Sequence, residues 1–255
     1  MNLLIPLRSE LFKTKRTIAL YFTIAAAAFG PFMSMLDLVF DGIDKEHEKD
    51  IFNELFTTKF VMVGAVLLPW FIILISTLLA QIEYRNNTWK QVLTSPQTKA
   101  GIFFAKFINI QLLIFLFLFI NHLLMLINVI ILHFMHPSFH ILSQPLDWPE
   151  IADTVVRSYL ALLGVCAIQF WLALRFKNFL APVAIGISAW FVGSILVIQL
   201  KAGFAEYFPY SYHAYAWFPE YQDKDLTGIY LTSAGYAVLF LIIGFSNFKR
   251  RRMSA

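Results

Sequence analysis

Long apolar runs separated by short charged gaps constrain this chain more than any other feature. A run of about 18 or more mostly apolar residues can cross a hydrocarbon core of about 30 Å as an α-helix. A transmembrane barrel would instead show short segments of alternating polarity. We therefore expect an all-α membrane protein with one transmembrane domain over residues 1–255. Its six predicted spans are residues 17–40, 60–80, 102–132, 151–174, 179–199 and 226–245.

The third run is longer than a bilayer requires. At a rise of about 1.5 Å per residue, a helix over residues 102–132 exceeds the hydrocarbon thickness. We expect this helix to tilt, to bend or to project beyond one membrane surface.

The distribution of lysine and arginine predicts the orientation, because short basic loops resist translocation. If the N-terminus is cytoplasmic, six of the 20 basic residues face the other side: Lys45, Lys49, Lys59, Arg157, Lys201 and Lys224. The cytoplasmic side then carries Arg8, Lys13, Lys15, Arg16, Arg85, Lys90, Lys99, Lys106, Arg175, Lys177, Lys249, Arg250, Arg251 and Arg252. We predict that both termini are cytoplasmic. Anionic lipid explains this basic face, so no nucleic-acid partner is expected.

The chain lacks the common catalytic and nucleotide-binding motifs. It contains no G-x-x-x-x-G-K-[ST] phosphate loop, no H-E-x-x-H and no G-x-S-x-G. His133, His136 and His140 have helical spacing, but Pro137 interrupts that helix. We expect no metal site and no cofactor in this chain; if ATP is used, another chain binds it.

Four polar residues inside the apolar runs have two possible roles. Asn121 and Asn128 are seven residues apart and share a helical face that should point at protein. With His122 and Gln169 they could form hydrogen bonds between helices, or they could line a substrate route.

Small and aromatic residues suggest further contacts. Gly186, Ala189 and Gly193 lie on one face of the fifth span, where small residues allow close packing within the chain or across a dimer. The aromatic stretch 204–221 predicts an interfacial or partly re-entrant element, which could also meet an amphipathic substrate.

The stretch between the second and third runs is the longest polar interior segment. Ile82, Trp89 and Val92 fall near one side of a helix over residues 81–93, and Pro96 closes the segment. The pattern predicts a short amphipathic helix on the membrane surface or in the groove of a partner protein.

Residues 83–106, "EYRNNTWKQVLTSPQTKAGIFFAK", resemble the loop after the second membrane helix of ABC-2-type permeases. The shared features are an acidic residue, a Thr-Trp pair, a Pro-containing turn and a Lys on the next helix. The similarity is greatest to the group that includes lantibiotic-immunity and bacitracin-export permeases. The start "PLRSELFKTKRT" is similar to that family's amphipathic N-terminal elbow helix, here residues 1–16.

The resemblance implies the permease subunit of an ABC exporter, without enzymatic activity of its own, in a bacterial inner membrane. It would pair with a second permease chain, identical or homologous, and with two ABC ATPase subunits that bind ATP and Mg. Its substrate would be hydrophobic or amphipathic: a lipid-like molecule, an antimicrobial peptide or an antibiotic. The loop would be the coupling helix, with the ATPase contacted by Glu83, Tyr84, Arg85, Asn86, Asn87, Thr88, Trp89 and Lys90.

Two alternatives belong to other classes. One is a stand-alone intramembrane enzyme or metal-dependent protein that uses His122, His133, His136 and Arg157. The other is a membrane scaffold whose polar loop recruits a soluble partner without an ATP site.

Overall fold

The fold is a bundle of long helices. The structure, a computed structural model, describes residues 3–15, 17–40, 53, 56, 60–86, 88–94, 96–137, 141–143, 145–218 and 225–250. Within these ranges no residue is in a strand. The helices are α1 Leu4–Lys15, α2 Ile18–Phe40, α3 Phe60–Arg85, α4 Trp89–Thr94, α5 Lys99–Met135, α6 Trp148–Arg175, α7 Leu180–Gln199, α8 Tyr212–Trp217 and α9 Thr227–Lys249.

The six predicted spans are confirmed as helices that are long and apolar enough to cross a membrane: α2, α3, α5, α6, α7 and α9. Several begin or end beyond the apolar runs, because their terminal turns include charged residues such as Arg85, Lys99 and Lys249. The longest, α5, has 37 residues and is about 55 Å long at 1.5 Å per residue. Its excess length is therefore larger than the sequence predicted.

Local signals fix the starts of two long helices. The Thr98 side chain accepts a hydrogen bond from the Gly101 amide at 3.1 Å and caps α5. The Asp147 carboxylate accepts one from the Glu150 amide at 3.0 Å and caps α6. At its other end α5 stops at Met135, ahead of Pro137.

Helices α1 and α2 pack one after the other along the length of α5. Pro6 of α1 lies against Gly101, and Asn109 donates a hydrogen bond to the Thr14 hydroxyl at 2.6 Å. Further along, α2 continues the same contact towards the C-terminal half of α5. The predicted elbow segment is thus a helix, and α5 supports both α1 and α2.

A proline in α2 explains two of the polar residues of α5. Pro31 has no amide hydrogen, so the carbonyl of Ala27 loses its usual helical donor. The Asn121 side chain donates to that carbonyl at 3.0 Å, and the Asn128 side chain donates to the carbonyl of Pro31 at 2.7 Å. These two asparagines join α5 to α2 at the site where the proline interrupts the α2 hydrogen bonds.

A π-helical stretch, Val63–Leu67, opens the backbone of α3 towards its neighbours. The Trp190 indole of α7 donates to the Ala65 carbonyl at 3.2 Å. The Trp217 ring of α8 fills the space over Gly64, where an added Cβ would lie 2.0 Å from the ring. Glycine at position 64 therefore allows α8 to pack against α3.

The aromatic stretch before α9 is built into the bundle. It forms short 3₁₀ turns at Gly203–Tyr207 and Pro209–Ser211, followed by α8. Most of its second half is buried, including Tyr210, Tyr212 and Trp217, whereas Phe204 and Tyr207 are exposed. Its inner residues thus have a packing role in addition to any interfacial one.

Gly64→Ala tests the packing of α8 on α3. We expect a loss of about 1–3 kcal/mol in unfolding free energy, because the new methyl group overlaps the Trp217 ring and the core must shift. Gly235→Ala is the matched control in α9, where nothing lies within 4 Å of the added carbon and alanine favours helix. Denaturant unfolding in detergent measures both, and equal stability of the two variants would contradict the packing.

Candidate functional site

Several helix ends meet at one end of the bundle, which we call the basic end. The Lys99 ammonium at the start of α5 donates to the Lys249 carbonyl at the end of α9, at 3.0 Å. The Trp89 ring of α4 lies 5.9 Å from the Phe248 ring of α9. Helix α1 packs on the same first turns of α5. Both terminal helices and the segment that joins α3 to α5 therefore share one end.

Four charged side chains form a closed ring at this end, which we call the charge ring: Glu10, Lys13, Glu83 and Lys106. The Lys106 ammonium binds Glu10 at 2.8 Å and Glu83 at 2.5 Å. Lys13 binds the same two carboxylates, at 2.7 Å and 3.1 Å. The charges alternate around the ring and sum to zero. Because its members lie on α1, α3 and α5, the ring joins three helices.

Three of the four members of the charge ring are buried. Glu83 is 0% exposed and Lys106 is 3% exposed, and Glu10 is buried as well, whereas the Lys13 side chain is 31% exposed. Charges in such a place are tolerated only when they are paired, and removing one partner from a buried pair costs about 3–5 kcal/mol. Burial acts to raise the pKa of Glu10, but Lys106 and Lys13 lower it below its ordinary value. The ring therefore holds α1 in one register on α5.

Trp89 connects α4 to this ring. The Lys106 ammonium lies 5.7 Å from the centroid of the Trp89 ring, within the range of a cation–π interaction. The Tyr84 ring stands edge-on to the Trp89 indole, with 5.4 Å between the ring centroids. The Tyr84 hydroxyl donates a hydrogen bond to the Leu174 carbonyl of α6 at 2.6 Å. Trp89 therefore packs against its own bundle.

The single amphipathic helix predicted over residues 81–93 is two helices in the structure. Helix α3 runs on to Arg85, and α4 begins at Trp89. The break lies at Asn86, whose backbone leaves the helical region, and the Thr88 amide turns back to the Glu83 carbonyl at 3.0 Å. The prediction missed this turn because its apolar spacing continues across it.

The predicted ATPase-contact residues fall into two groups. Glu83, Tyr84 and Trp89 make the inward contacts described above, whereas Arg85 and Asn86 are exposed. Thr88 is half-buried. Asn87 lies outside the described residues, and so does the side chain of Lys90. Gln91, which was not predicted as a contact, is also exposed.

The remaining polar candidates of the membrane helices bond within the chain. Besides the two asparagines, the His122 ring contacts the Leu118 carbonyl at 2.8 Å and packs on the Phe60 ring at 4.8 Å. The Gln169 side chain donates to the Tyr210 hydroxyl at 3.0 Å. The Gln169 bond joins α6 to the Pro209–Ser211 turn, as in the first of the two predicted roles, whereas the His122 contact lies within α5.

The small residues of α7 also pack within the chain. An added Cβ at Gly186 would lie 1.9 Å from the Gln169 amide, and one at Gly193 would lie 2.3 Å from the Tyr210 carbonyl oxygen. Ala189 is packed against the same core. Close packing of α7 against α6 and the Pro209–Ser211 turn accounts for the stripe, and a role in a dimer stays a prediction.

The histidine spacing does not assemble a metal centre in the part of the chain that the structure describes, where no group of three His, Cys, Asp or Glu could hold an ion. His133 lies in the last turn of α5 and His136 follows its end, whereas His140 is not among the described residues. Arg157 of α6 pairs with Asp153 one turn away.

Sequence reasoning missed the α1 half of the charge ring. Glu10 and Thr14 lie one turn apart and form the buried face of α1, while the apolar Leu11 and Phe12 are exposed. A carboxylate on the face opposite the apolar residues was the available signal. Its partner Lys106, 96 positions away, could not be identified from spacing.

Lys106→Met tests the charge ring. We expect a loss of about 3–5 kcal/mol in unfolding free energy, because Glu10 and Glu83 keep their charges with one ammonium removed. The double variant with Glu83→Gln should regain part of the loss, since it leaves the neutral pair of Glu10 and Lys13. Lys99→Met, a change at an exposed hydrogen bond, is the control. Equal effects at positions 99 and 106 in chemical unfolding would contradict the ring.

The pH dependence of the charge ring follows from the pKa of Glu10. Since its folded pKa is below the ordinary 4.5, its ion pairs contribute full stability above about pH 4.5 and lose it as pH falls through the folded pKa. We expect limited proteolysis near α1 to accelerate on acidification below that value. Glu10→Gln should lack this component, and an unchanged acid response in that variant would contradict the assignment.

Comparison with known proteins gives one family match. The sequence model described as ABC-2 family transporter protein matches residues 6–193, nearly three quarters of the chain. No curated protein sequence matches significantly. The match extends from α1 into α7 and includes every member of the charge ring and all of α4. The chain therefore belongs to the ABC-2 transporter family and is a multi-pass permease component of an ABC transporter, which works with an ABC ATPase.

Proposed function

We propose that this permease is the membrane subunit of an exporter in a bacterial inner membrane, with its basic end and both termini in the cytoplasm. The placement of both terminal helices at the end that carries most lysines and arginines supports this orientation, since basic segments are retained on the cytoplasmic side. We assign the lantibiotic-immunity and bacitracin-export group as its nearest relatives on the loop resemblance alone.

The charge ring and Trp89 are the observation that supports a coupling role for this end. Helix α4 is six residues long, and Trp89 fixes it against Lys106 of α5 and Phe248 of α9. A force on α4 would therefore reach the start of α5 through packed side chains rather than through a flexible loop. ATP and Mg would act on the ATPase, outside this chain.

The two groups of contact residues have different tasks in this proposal. Arg85, Asn86 and Gln91 point away from the core and would form the docking surface with Asn87, Thr88 and Lys90. Glu83, Tyr84 and Trp89 would transmit the motion of the ATPase to α5 and α6. The proposed complex contains two ATPase copies and a second permease chain, identical or homologous.

The outward faces of α2 and α7 suit a second permease chain. Both helices are among the least buried spans of the single chain, and they expose Tyr21, Phe32, Phe191 and Val192. A hydrophobic or amphipathic substrate, such as a lipid-like molecule, an antimicrobial peptide or an antibiotic, would move between the two chains. A route through Asn121, His122, Asn128 and Gln169 would require their present hydrogen bonds to exchange.

Cross-linking tests the docking surface. We expect Gln91→Cys to form a cross-link with a phosphate-loop ATPase, identified by mass spectrometry, because this side chain is exposed on α4. The native Cys166 is buried and should stay silent. Glu206→Cys, exposed beyond the far end of α7, is the matched control. A cross-link to an ATPase from position 206 and none from position 91 would overturn the proposed orientation.

Trp89→Ala tests transmission. We expect the ATPase still to bind, since the exposed residues are unchanged, whereas transport per ATP hydrolysed should fall about tenfold or more as α4 loses its anchor. Trp148→Ala, which removes an exposed indole at the opposite end of α6, should leave the ratio unchanged. Transport and ATP hydrolysis are both measured in reconstituted vesicles. Normal coupling in Trp89→Ala would show that α4 transmits no motion through the Trp89 indole.

A further inference from the structure

A cavity of about 490 Å³ opens at the basic end between the start of α2, the last turns of α3 and the start of α7. Its volume lies within the range of small-molecule sites, about 300–1,000 Å³. The charge ring does not use this space, whereas the proposed docking surface shares Arg85 and Asn86 with its lining. The cavity is therefore a candidate ligand site beside that surface.

The cavity has two chemically distinct parts. One wall is apolar and includes Leu78, Ile82 and Phe179. The other part carries the guanidinium of Arg85 and the side-chain amide of Asn86, together with Gln81, whose amide donates to the Phe176 carbonyl at 3.4 Å. A ligand that fills it needs an apolar portion joined to a polar group that accepts hydrogen bonds.

The charge around the cavity is positive. Arg85 is exposed and belongs to the lining. Lys15 and Lys177 are exposed and lie two residues from the lining residues Thr17 and Phe179. None of the described residues that line the cavity is acidic. The preferred polar group is therefore an anion.

Glu83, the acidic residue nearest to Arg85 in the chain, does not neutralise this site. Its carboxylate is fully buried and accepts from Lys13 and Lys106 of the charge ring. Arg85 forms no ion pair with another of the described residues, so its guanidinium keeps its donors for a ligand. A guanidinium binds phosphate through two parallel hydrogen bonds, which are stronger than neutral ones.

We propose that this cavity binds an acidic phospholipid, with the phosphate on Arg85 and an acyl chain along Leu78 and Ile82. The position of the cavity at the ends of three membrane helices places the anion where lipid headgroups lie, and the apolar wall continues towards the hydrocarbon region. The apolar wall favours a lipid over a free phosphate ion, which has no portion to place there. The site stands independently of the exported substrate.

Titration of the purified chain in a non-ionic detergent tests the site. The probes are dioctanoyl phosphatidylglycerol and, for comparison, dioctanoyl phosphatidylcholine, with native mass spectrometry counting the bound lipid. We expect at least tenfold tighter binding of the acidic lipid. Arg85→Gln should abolish this preference. Arg175→Gln, which removes the same charge at the same end but from a guanidinium stacked over Trp171, should preserve it.

Two further measurements distinguish a lipid phosphate from free inorganic phosphate as the bound anion. Leu78→Trp fills the apolar wall and should weaken acidic-lipid binding about tenfold, while inorganic phosphate at millimolar concentration should not displace the lipid. Displacement by inorganic phosphate with no effect of Leu78→Trp would assign the site to free phosphate and overturn the lipid proposal. An equal loss of acidic-lipid preference in Arg85→Gln and Arg175→Gln would mean that the preference comes from the general charge of the basic end. That result would also overturn the lipid proposal. Thermal unfolding of each variant confirms that the fold is retained.

Discussion

The charge ring is the interaction on which the basic end of this permease depends. Its three buried charges, Glu10, Glu83 and Lys106, would each be costly alone, and every member of the ring is offset by two opposite neighbours. The ring is complete only when α1, α3 and α5 are all in place. It therefore makes the docking of α1 and the alignment of the other two helices a single cooperative condition.

The membrane-buried part of the bundle uses polar residues in a similar way. Asn121 supplies the donor that Pro31 removes from the Ala27 carbonyl, so a defect in one helix becomes a contact with another. Trp190 does the same for the Ala65 carbonyl in the π-helical stretch of α3. In both places an interrupted backbone ladder fixes which neighbour can pack there.

The six spans could be predicted because the bilayer imposes a minimum apolar length, which any window of sequence reveals. The same reasoning ended α3 at residue 80, whereas the helix continues to Arg85 with Glu83 buried. A charged residue marks the end of an apolar run, but a partner such as Lys106 lets the helix continue past it. The pair of Glu83 and Lys106 joins two different helices, so it could not be recognised from the sequence before the fold was known.

The orientation of Trp89 shows the limit of an apolar stripe as a prediction. The spacing identified the correct apolar face but not what that face contacts, and a groove in a partner and the permease's own bundle suit it equally. In the structure Lys106, Tyr84 and Phe248 already surround the ring. The family resemblance implies that this loop meets an ATPase, and for that reason the proposed docking residues are those that the bundle leaves exposed.

A ring of charges suits a transmitting joint better than an apolar contact would. Two apolar helix faces can slide by a turn and still bury similar area, since the hydrophobic effect has no direction. A slip of one turn of α1 along α5 would separate Glu10 from Lys106 and Lys13 from Glu83, so that the ring would open and each charge would keep one partner instead of two. The joint therefore resists sliding, and in the proposed coupling role a displacement of α4 would reach this rigid joint through the contact between Trp89 and Lys106.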